Sequence, residues 1–237
     1  GPGMGATGDA LDGTGARTAA CDPLSRLDTP PLPGSLREAR RVASVFRVAP
    51  GMRGRVTELT RADATKAAFK QQAPGKAIVH VATHGFFASN ECTTGSSDAA
   101  NPLRLSGLAF AASEDPADAL LLAEEVATLD LRDAQWVVLS GCDTGIGQIE
   151  VDEGILGLRR AFRIAGAGTL IMSLWLVEDR SAETFMAALY DARLNANQST
   201  SAAMRTAYRA ALADIRRERG EAHPLHWAPF IASGDWR

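Results

Sequence analysis

The chain has 237 residues, of which 46% are hydrophobic and 22% charged, and a formal net charge of −3. This length allows one large α/β domain with a sizeable core. The slightly acidic balance argues against a general nucleic-acid-binding protein, which would carry a basic excess. No apolar run approaches the roughly 20 residues that span a bilayer.

Cysteine usage and the N-terminal sequence bear on the cellular compartment. The three cysteines, an odd and sparse set, favour free thiols in a reducing environment over a disulfide framework. The N-terminal residues lack the charged and apolar regions of a secretory signal. We therefore expect a cytoplasmic protein that contacts neither membrane nor nucleic acid directly.

Residues 1–34 show neither helical nor strand periodicity and are rich in Gly, Ala, Thr, Asp and Pro. The first three residues resemble the remnant of an expression tag. We expect a flexible, partly disordered arm over residues 1–34, although packing against the domain is compatible with its composition. Residues 35–237 are then the folded domain.

Helices and strands alternate after the arm. The capping box Ser35-Leu36-Arg37-Glu38 predicts a helix that ends before Pro50. A short strand over residues 55–59 and a helix over residues 60–72 come next. A buried-type strand then runs into His84 and Gly85. This alternation predicts a mostly parallel sheet with crossover helices.

The middle of the chain is less regular. Residues 88–101 are polar and aperiodic, which predicts either a tolerated surface insertion or a mobile loop that binds substrate or controls activation. The loop offers little apolar area to offset its ordering entropy, so we expect poor order there. Residues 103–111 predict short strands, and residues 123–127 predict a short helix.

A second buried-type strand ends in Ser140-Gly141-Cys142-Asp143-Thr144-Gly145. It is followed by a predicted helix over residues 153–165 with an arginine-rich outer face, which we interpret as a solvated surface. A third buried strand covers residues 169–175. Two helices follow, over residues 180–193 and 200–219, and Gly220 ends the second of them. A last strand is predicted at residues 229–232.

His84 and Cys142 each follow a buried strand. If these two strands are parallel neighbours, both residues lie at the same edge of the sheet, where α/β proteins bind ligands. A thiolate is a nucleophile, and a nearby imidazole either takes the thiol proton or stabilises the ion pair. Gly85 lets a carbonyl approach the backbone, and its N–H could bind an oxyanion. The pair therefore indicates nucleophilic catalysis.

These motifs resemble the CHAT domain family, which is related to caspases, metacaspases and separase. The resemblance extends over roughly residues 30–237. It is carried by His84-Gly85, the Cys142 loop and three further stretches, 152–162, 173–179 and 226–236. Many relatives have alanine before the cysteine and glutamate after it, where this chain has Gly141 and Asp143.

The resemblance implies a three-layer caspase-like (caspase-hemoglobinase) fold and a cysteine endopeptidase. Cys142 would attack the scissile carbonyl, His84 would move the proton, and the N–H groups of Gly85 and Cys142 would bind the oxyanion. No metal or cofactor is expected. A protein or peptide substrate is implied, together with an activating sensor protein as a further partner. Relatives act in bacterial antiviral defence and cell death, some on gasdermin-like proteins.

Glu178 and Asp179 directly follow the third buried strand, so we expect them at the same edge as His84. One interpretation is that Asp179 caps the next helix. In separase-like relatives an aspartate at the matching place binds arginine. The resemblance therefore implies that Asp179, ahead of Glu178, binds the side chain preceding the scissile bond, with arginine preferred over lysine.

Two other functions remain open on the same residues: a non-catalytic interaction module, and a thiol acyltransferase or amidase. The other histidines and cysteines are weaker candidates. His80 lies about 13 Å from His84 along a strand, beyond shared metal coordination, and is expected to be a packed or hydrogen-bonded residue. His223 and His226 lack a ligand cluster. Cys21 and Cys92 follow no strand.

Overall fold

The structure is a computed structural model that describes residues 32–49, 56–87, 101–111, 116–141, 151–175, 178–220 and 222–237. Its helices are α1 (Pro33–Val48), α2 (Lys66–Gln72), α3 (Pro102–Leu105), α4 (Ala123–Val126), α5 (Val151–Ile164), α6 (Asp179–Leu194) and α7 (Thr200–Arg219). Its strands are β1 (Ile78–Ala82), β2 (Gly85–Phe87), β3 (Ser106–Ala109), β4 (Leu120–Leu122), β5 (Trp136–Ser140), β6 (Thr169–Ser173) and β7 (Phe230–Gly234). Short 3-10 turns cover Arg61–Asp63, Pro116–Ala119 and Pro224–His226.

The central sheet has the strand order β1-β5-β6-β7. β1, β5 and β6 are parallel, and β7 runs antiparallel to β6. Every residue of β5 and β6 is buried. This explains why both strands read as continuous apolar runs, because a sheet covered on both faces has no polar alternation.

Two separate hydrophobic clusters lie on the two faces of this sheet. Val137 and Leu139 of β5 belong to the cluster that includes α2 and α5. Trp136 and Val138 point the other way and pack with α1, α6 and α7. The fold is therefore α/β, with a mostly parallel sheet between layers of helices, as the alternation of elements predicted.

A small antiparallel sheet, in the order β2-β3-β4, stands beside the central one. β2 begins at Gly85, directly after His84, and Gly85 pairs with Leu108 of β3. Leu108 and Leu121 are buried in the same cluster as β5, which joins the two sheets into one core. The chain thus leaves the central sheet after Ala82 and enters the small sheet at Gly85, with His84 between the two.

Several predicted boundaries are confirmed and some are wrong. α1 begins at Pro33 rather than after Ser35, whose hydroxyl donates to the Leu32 carbonyl instead of capping the helix. Residues 56–59, within the predicted strand 55–59, form no strand. Residues 102–105 are helical, so only the later part of the predicted strand region 103–111 is a strand. Gly220 does end α7, with φ 72° in the left-handed region.

The predicted disorder of loop 88–101 falls outside the described residues except for Asn101, whose side chain accepts from the Leu103 N–H at the start of α3. The arm is likewise outside them, apart from Leu32 and the first turn of α1. Among the described residues, no helix combines the length and the apolarity that crossing a bilayer requires.

Candidate functional site

The site is built from the carboxyl ends of β1 and β5. The two strands are adjacent and parallel, with Ala82 paired to Ser140 at the last position of the ladder. His84 follows Ala82 by two residues, and Cys142 follows Ser140 by two residues. The prediction from the sequence that the two strands, β1 and β5, are parallel neighbours is confirmed. Cys142 itself lies outside the described residues, because the described segment that contains β5 ends at Gly141.

The turn that carries His84 is attached to β3. The Ala109 N–H donates to the His84 carbonyl over 2.8 Å, and the Thr83 hydroxyl donates to the Ala109 carbonyl. The His84 side chain is buried, with 7% of the residue exposed. Backbone bonds on one side and burial on the other therefore restrict where the imidazole can lie.

Gly85 has more space around its Cα than Gly141, the glycine that follows β5. Among the described residues, a Cβ built there would meet only the Gly107 carbonyl oxygen, at an ordinary 3.8 Å. The Ala109–His84 bond makes the neighbouring Gly85–Leu108 pair one of the non-hydrogen-bonded type, because the two types alternate in antiparallel ladders. The Gly85 N–H therefore points away from β3.

Gly141 is a glycine for local reasons. Its φ of 101° lies in a region that residues with a Cβ rarely adopt. A Cβ there would also lie 3.0 Å from the Thr83 carbonyl oxygen on the neighbouring strand segment. The chain can turn out of β5 beside β1 only because this residue has no side chain.

His80 is a packed residue with two polar neighbours, as expected from its place inside β1. Its Nδ1 lies 3.0 Å from the Tyr190 hydroxyl, and its Nε2 lies 2.9 Å from Glu38 Oε1. The second contact lacks hydrogen-bond angles, so it is an ion pair when the ring is charged. Burial, and then the Glu38 charge, raise the pKa of the Tyr190 hydroxyl well above its usual value.

Glu178 and Asp179 occupy the start of α6, where Glu178 is the N-cap residue and makes no side-chain capping bond. Both carboxylate oxygens of Glu178 lie 2.5 Å from Nη2 of Arg219. Asp179 is less closely engaged: Nη2 of Arg37 is 4.0 Å from its Oδ2, and its side chain is 42% exposed. Sequence reasoning missed both arginine partners, because they come from other helices.

Metal binding has no support from the described part of the chain, where no group of three or more His, Cys, Asp or Glu residues is arranged to hold an ion. The rings of His223 and His226 face each other at 6.3 Å, and Nδ1 of His226 is 3.4 Å from Nη1 of Arg219. Cys21 and Cys92 lie outside the described residues.

The motifs at this sheet edge agree with the comparisons with known proteins. The CHAT domain model matches residues 13–235. The chain belongs to the CHAT domain family. That family is caspase-like, and the match covers nearly the whole chain.

Two relatives share part of this CHAT domain. Tetratricopeptide repeat protein 28 of Mus musculus is 33% identical over 110 residues, which are 45% of this chain and 4% of that protein. The protein of the same name from Homo sapiens is 32% identical over 115 residues, 48% of this chain and 4% of that protein. The match with this CHAT domain thus spans a small fraction of the length of these relatives.

Proposed function

We propose that this CHAT domain is a cysteine endopeptidase of caspase-like fold with a His84–Cys142 dyad. The observation that supports it most directly is the Ala82–Ser140 pairing in adjacent parallel strands, two residues before each member of the dyad. The attachment of the His84 turn to β3 adds a second restraint on the base.

The reaction proceeds in two steps. His84 takes the proton of the Cys142 thiol, and the thiolate attacks the scissile carbonyl carbon. The N–H groups of Gly85 and Cys142 bind the resulting oxyanion, where each donor contributes about 10²–10³ in rate. The C–N bond then breaks, the amine leaves with the proton from His84, and water hydrolyses the thioester.

We propose a protein substrate cut after a basic residue, with Asp179 binding that residue. Glu178 is the weaker candidate because Arg219 already holds both its oxygens. The 42% exposure of the Asp179 side chain, with Arg37 no closer than 4.0 Å, supports access of a substrate guanidinium to this carboxylate. The family resemblance suggests a gasdermin-like substrate in bacterial defence, with an activating sensor protein.

An electrophilic peptide with arginine before the warhead tests the proposal. It should label the wild-type protein on one cysteine, and Cys142→Ala should not be labelled, while Cys92→Ser keeps the label. Cys142→Ala should also abolish peptide cleavage with a nearly unchanged melting temperature. A folded wild-type protein that takes no label and cleaves no member of a diverse peptide library would favour a non-catalytic interaction module.

A further inference from the structure

The outer face of α5 carries three arginines that the proposed function does not use. Arg159, Arg160 and Arg163 are exposed, whereas Ala161 and Phe162, which lie between them in sequence, are buried in the hydrophobic cluster that includes β5. The interpretation of this arginine-rich face as a solvated surface agrees with their exposure. Exposure alone does not explain why three positive charges stand together on one helix.

The helix itself provides no carboxylate for these arginines. The positions three and four residues before and after each of them hold apolar residues, glycines or another of the three arginines. Arg159 and Arg163 are four residues apart, and Arg160 and Arg163 are three residues apart, so both pairs are like-charged neighbours on the helix surface. Such pairs destabilise a helix. The charge at this place therefore acts against the stability of α5.

The neighbouring carboxylates are engaged elsewhere. Glu124 of α4 accepts from Arg104 over 2.8 Å, and Glu125 is held by two lysines of α2 at 3.0 and 3.2 Å. Asp130, in the turn that bonds to the end of α5, accepts from Arg132 over 2.6 and 2.8 Å. Within the described part of the chain, none of the three α5 guanidinium groups has a hydrogen bond or an ion pair.

Two further negative groups near the end of α5 leave most of this charge uncompensated. The helix dipole places about half an elementary charge at the C-terminal end of a helix. Asp133 is next to Arg132 in sequence and acts electrostatically on that residue. The outer face of α5 therefore carries a net positive charge, although the formal net charge of the whole chain is −3.

An exposed apolar residue lies beside the arginines. Ile164, the last residue of α5, is 56% exposed and follows Arg160 by one turn. Arg159 and Arg163 form a second pair that is also one turn apart. The Cβ atoms of residues one turn apart lie about 5–6 Å from each other. We call the surface formed by Arg159, Arg160, Arg163 and Ile164 the α5 basic face.

The chemistry of the α5 basic face fits an acidic helix of a partner protein. A guanidinium binds a carboxylate through two parallel hydrogen bonds, and arginine is enriched at protein interfaces. Carboxylates one turn apart on a helix match the spacing of Arg159 and Arg163, and an apolar residue beside them would cover Ile164. Nucleic acid fits less well, because three charges contact few phosphates and an isoleucine offers no aromatic ring for bases to stack on.

We propose that the α5 basic face is a docking surface for an acidic helix of a partner protein. The carboxylates of the partner supply the counter-charges that the described residues of this chain do not. The docking surface goes beyond the peptidase function and does not rest on it, so either can fail without the other.

A designed helical peptide tests the docking surface without any peptidase activity. The probe carries glutamates one turn apart and a leucine on the same face, and its control has glutamine in place of each glutamate. Fluorescence anisotropy at low ionic strength, where screening is weak, measures binding to the whole protein. The glutamate peptide should bind roughly tenfold or more tightly than the glutamine peptide. No binding of the glutamate peptide, or equal binding of both, would overturn the proposal.

Two triple variants locate the binding site. Replacement of all three α5 arginines by glutamine should weaken binding of the glutamate peptide by roughly tenfold or more. The control makes the same change at three exposed arginines of α7, which packs on the other face of the central sheet: Arg205, Arg209 and Arg216. It changes the net charge equally and should alter the affinity by no more than about twofold. Equal losses in both variants would indicate general charge attraction and refute the docking surface.

Three more measurements separate a protein partner from the alternatives. Ile164→Ala keeps the charge and should still weaken peptide binding, because apolar contact is lost. The α5 triple variant should melt no lower than the wild type, since like-charged pairs are removed. A markedly lower melting temperature would assign the arginines to the stability of the fold. Tighter binding of a single-stranded oligonucleotide of equal charge would assign the face to nucleic acid. Either result would contradict the proposal.

Discussion

The Cα of Ala82 pairs with the Cα of Ser140 at the last position of the parallel β1–β5 ladder. One residue further on, Thr83 and Gly141 are still close, since a Cβ on Gly141 would lie 3.0 Å from the Thr83 carbonyl oxygen. The two chain segments that follow β1 and β5 therefore leave the sheet side by side, directly before His84 and Cys142.

Substitutions of the two histidines of this segment should have opposite effects. His84→Ala should abolish peptide cleavage because the thiol loses its base. His80→Ala should keep cleavage but destabilise the protein by about 1–3 kcal/mol, since Glu38 and the Tyr190 hydroxyl lose their buried partner. Steady-state kinetics and urea unfolding measure the two effects. Loss of cleavage in a fully folded His80→Ala variant would contradict the assignment of a catalytic role to His84 and a structural role to His80.

Gly85→Ala and Gly141→Ala form a second pair. An added methyl group at Gly85 meets only an ordinary contact among the described residues, so stability should hardly change. The methyl should lower kcat/KM because it occupies space needed by the substrate carbonyl. Gly141→Ala should cost more than about 1 kcal/mol of stability, because its φ is 101° and Thr83 blocks the Cβ. Full activity in Gly85→Ala would argue against its place in the oxyanion site.

Asp179→Asn should lower turnover of arginine substrates far more than that of neutral substrates, because the substrate guanidinium loses its charged acceptor. Glu178→Gln is the matched control. It breaks the Arg219 ion pair at the protein surface, and the ratio of arginine to neutral turnover should remain as in the wild type. Equal losses on both substrate classes in Asp179→Asn would leave this residue a role at the start of α6 only.

Glu125 of α4 forms ion pairs with Lys66 and Lys70 of α2. The contribution of Glu125 to the free energy of unfolding should therefore depend on pH. Partial burial acts to raise the pKa of the Glu125 carboxyl, but hydrogen bonds from Lys66, the Leu122 N–H and Lys70 outweigh it and hold the pKa below its ordinary value of 4.5. A depressed pKa in the folded state stabilises the protein above pH 4.5, and this stability is lost as the pH falls through the folded-state pKa.

Glu125→Gln should therefore reduce the free energy of unfolding by about 1 kcal/mol at pH 7, with the two proteins converging below pH 4.5. Urea unfolding at a series of pH values measures the difference. A gap that is the same at pH 3 and pH 7 would show that the carboxylate charge is not its source.

Local sequence was sufficient for the elements whose signals lie within a few residues. The buried strands β5 and β6 were predictable because a strand covered on both faces needs an apolar side chain at nearly every position. The end of α7 was predictable because Gly220 alone adopts the left-handed conformation there at low cost. The motifs around His84 and Cys142 also identified the family without any structure.

Tertiary structure decided what depends on residues distant in sequence. Ser35-Leu36-Arg37-Glu38 reads as a capping box, yet Glu38 is buried against His80, because the contact with β1 places it on the inner face of α1. Arg219 reaches Glu178 only because α6 and α7 pack together. The strand order β1-β5-β6-β7 follows from how the helices cover the sheet. No local pattern encodes these pairings, since each is set by the packing of elements that meet only in the folded chain.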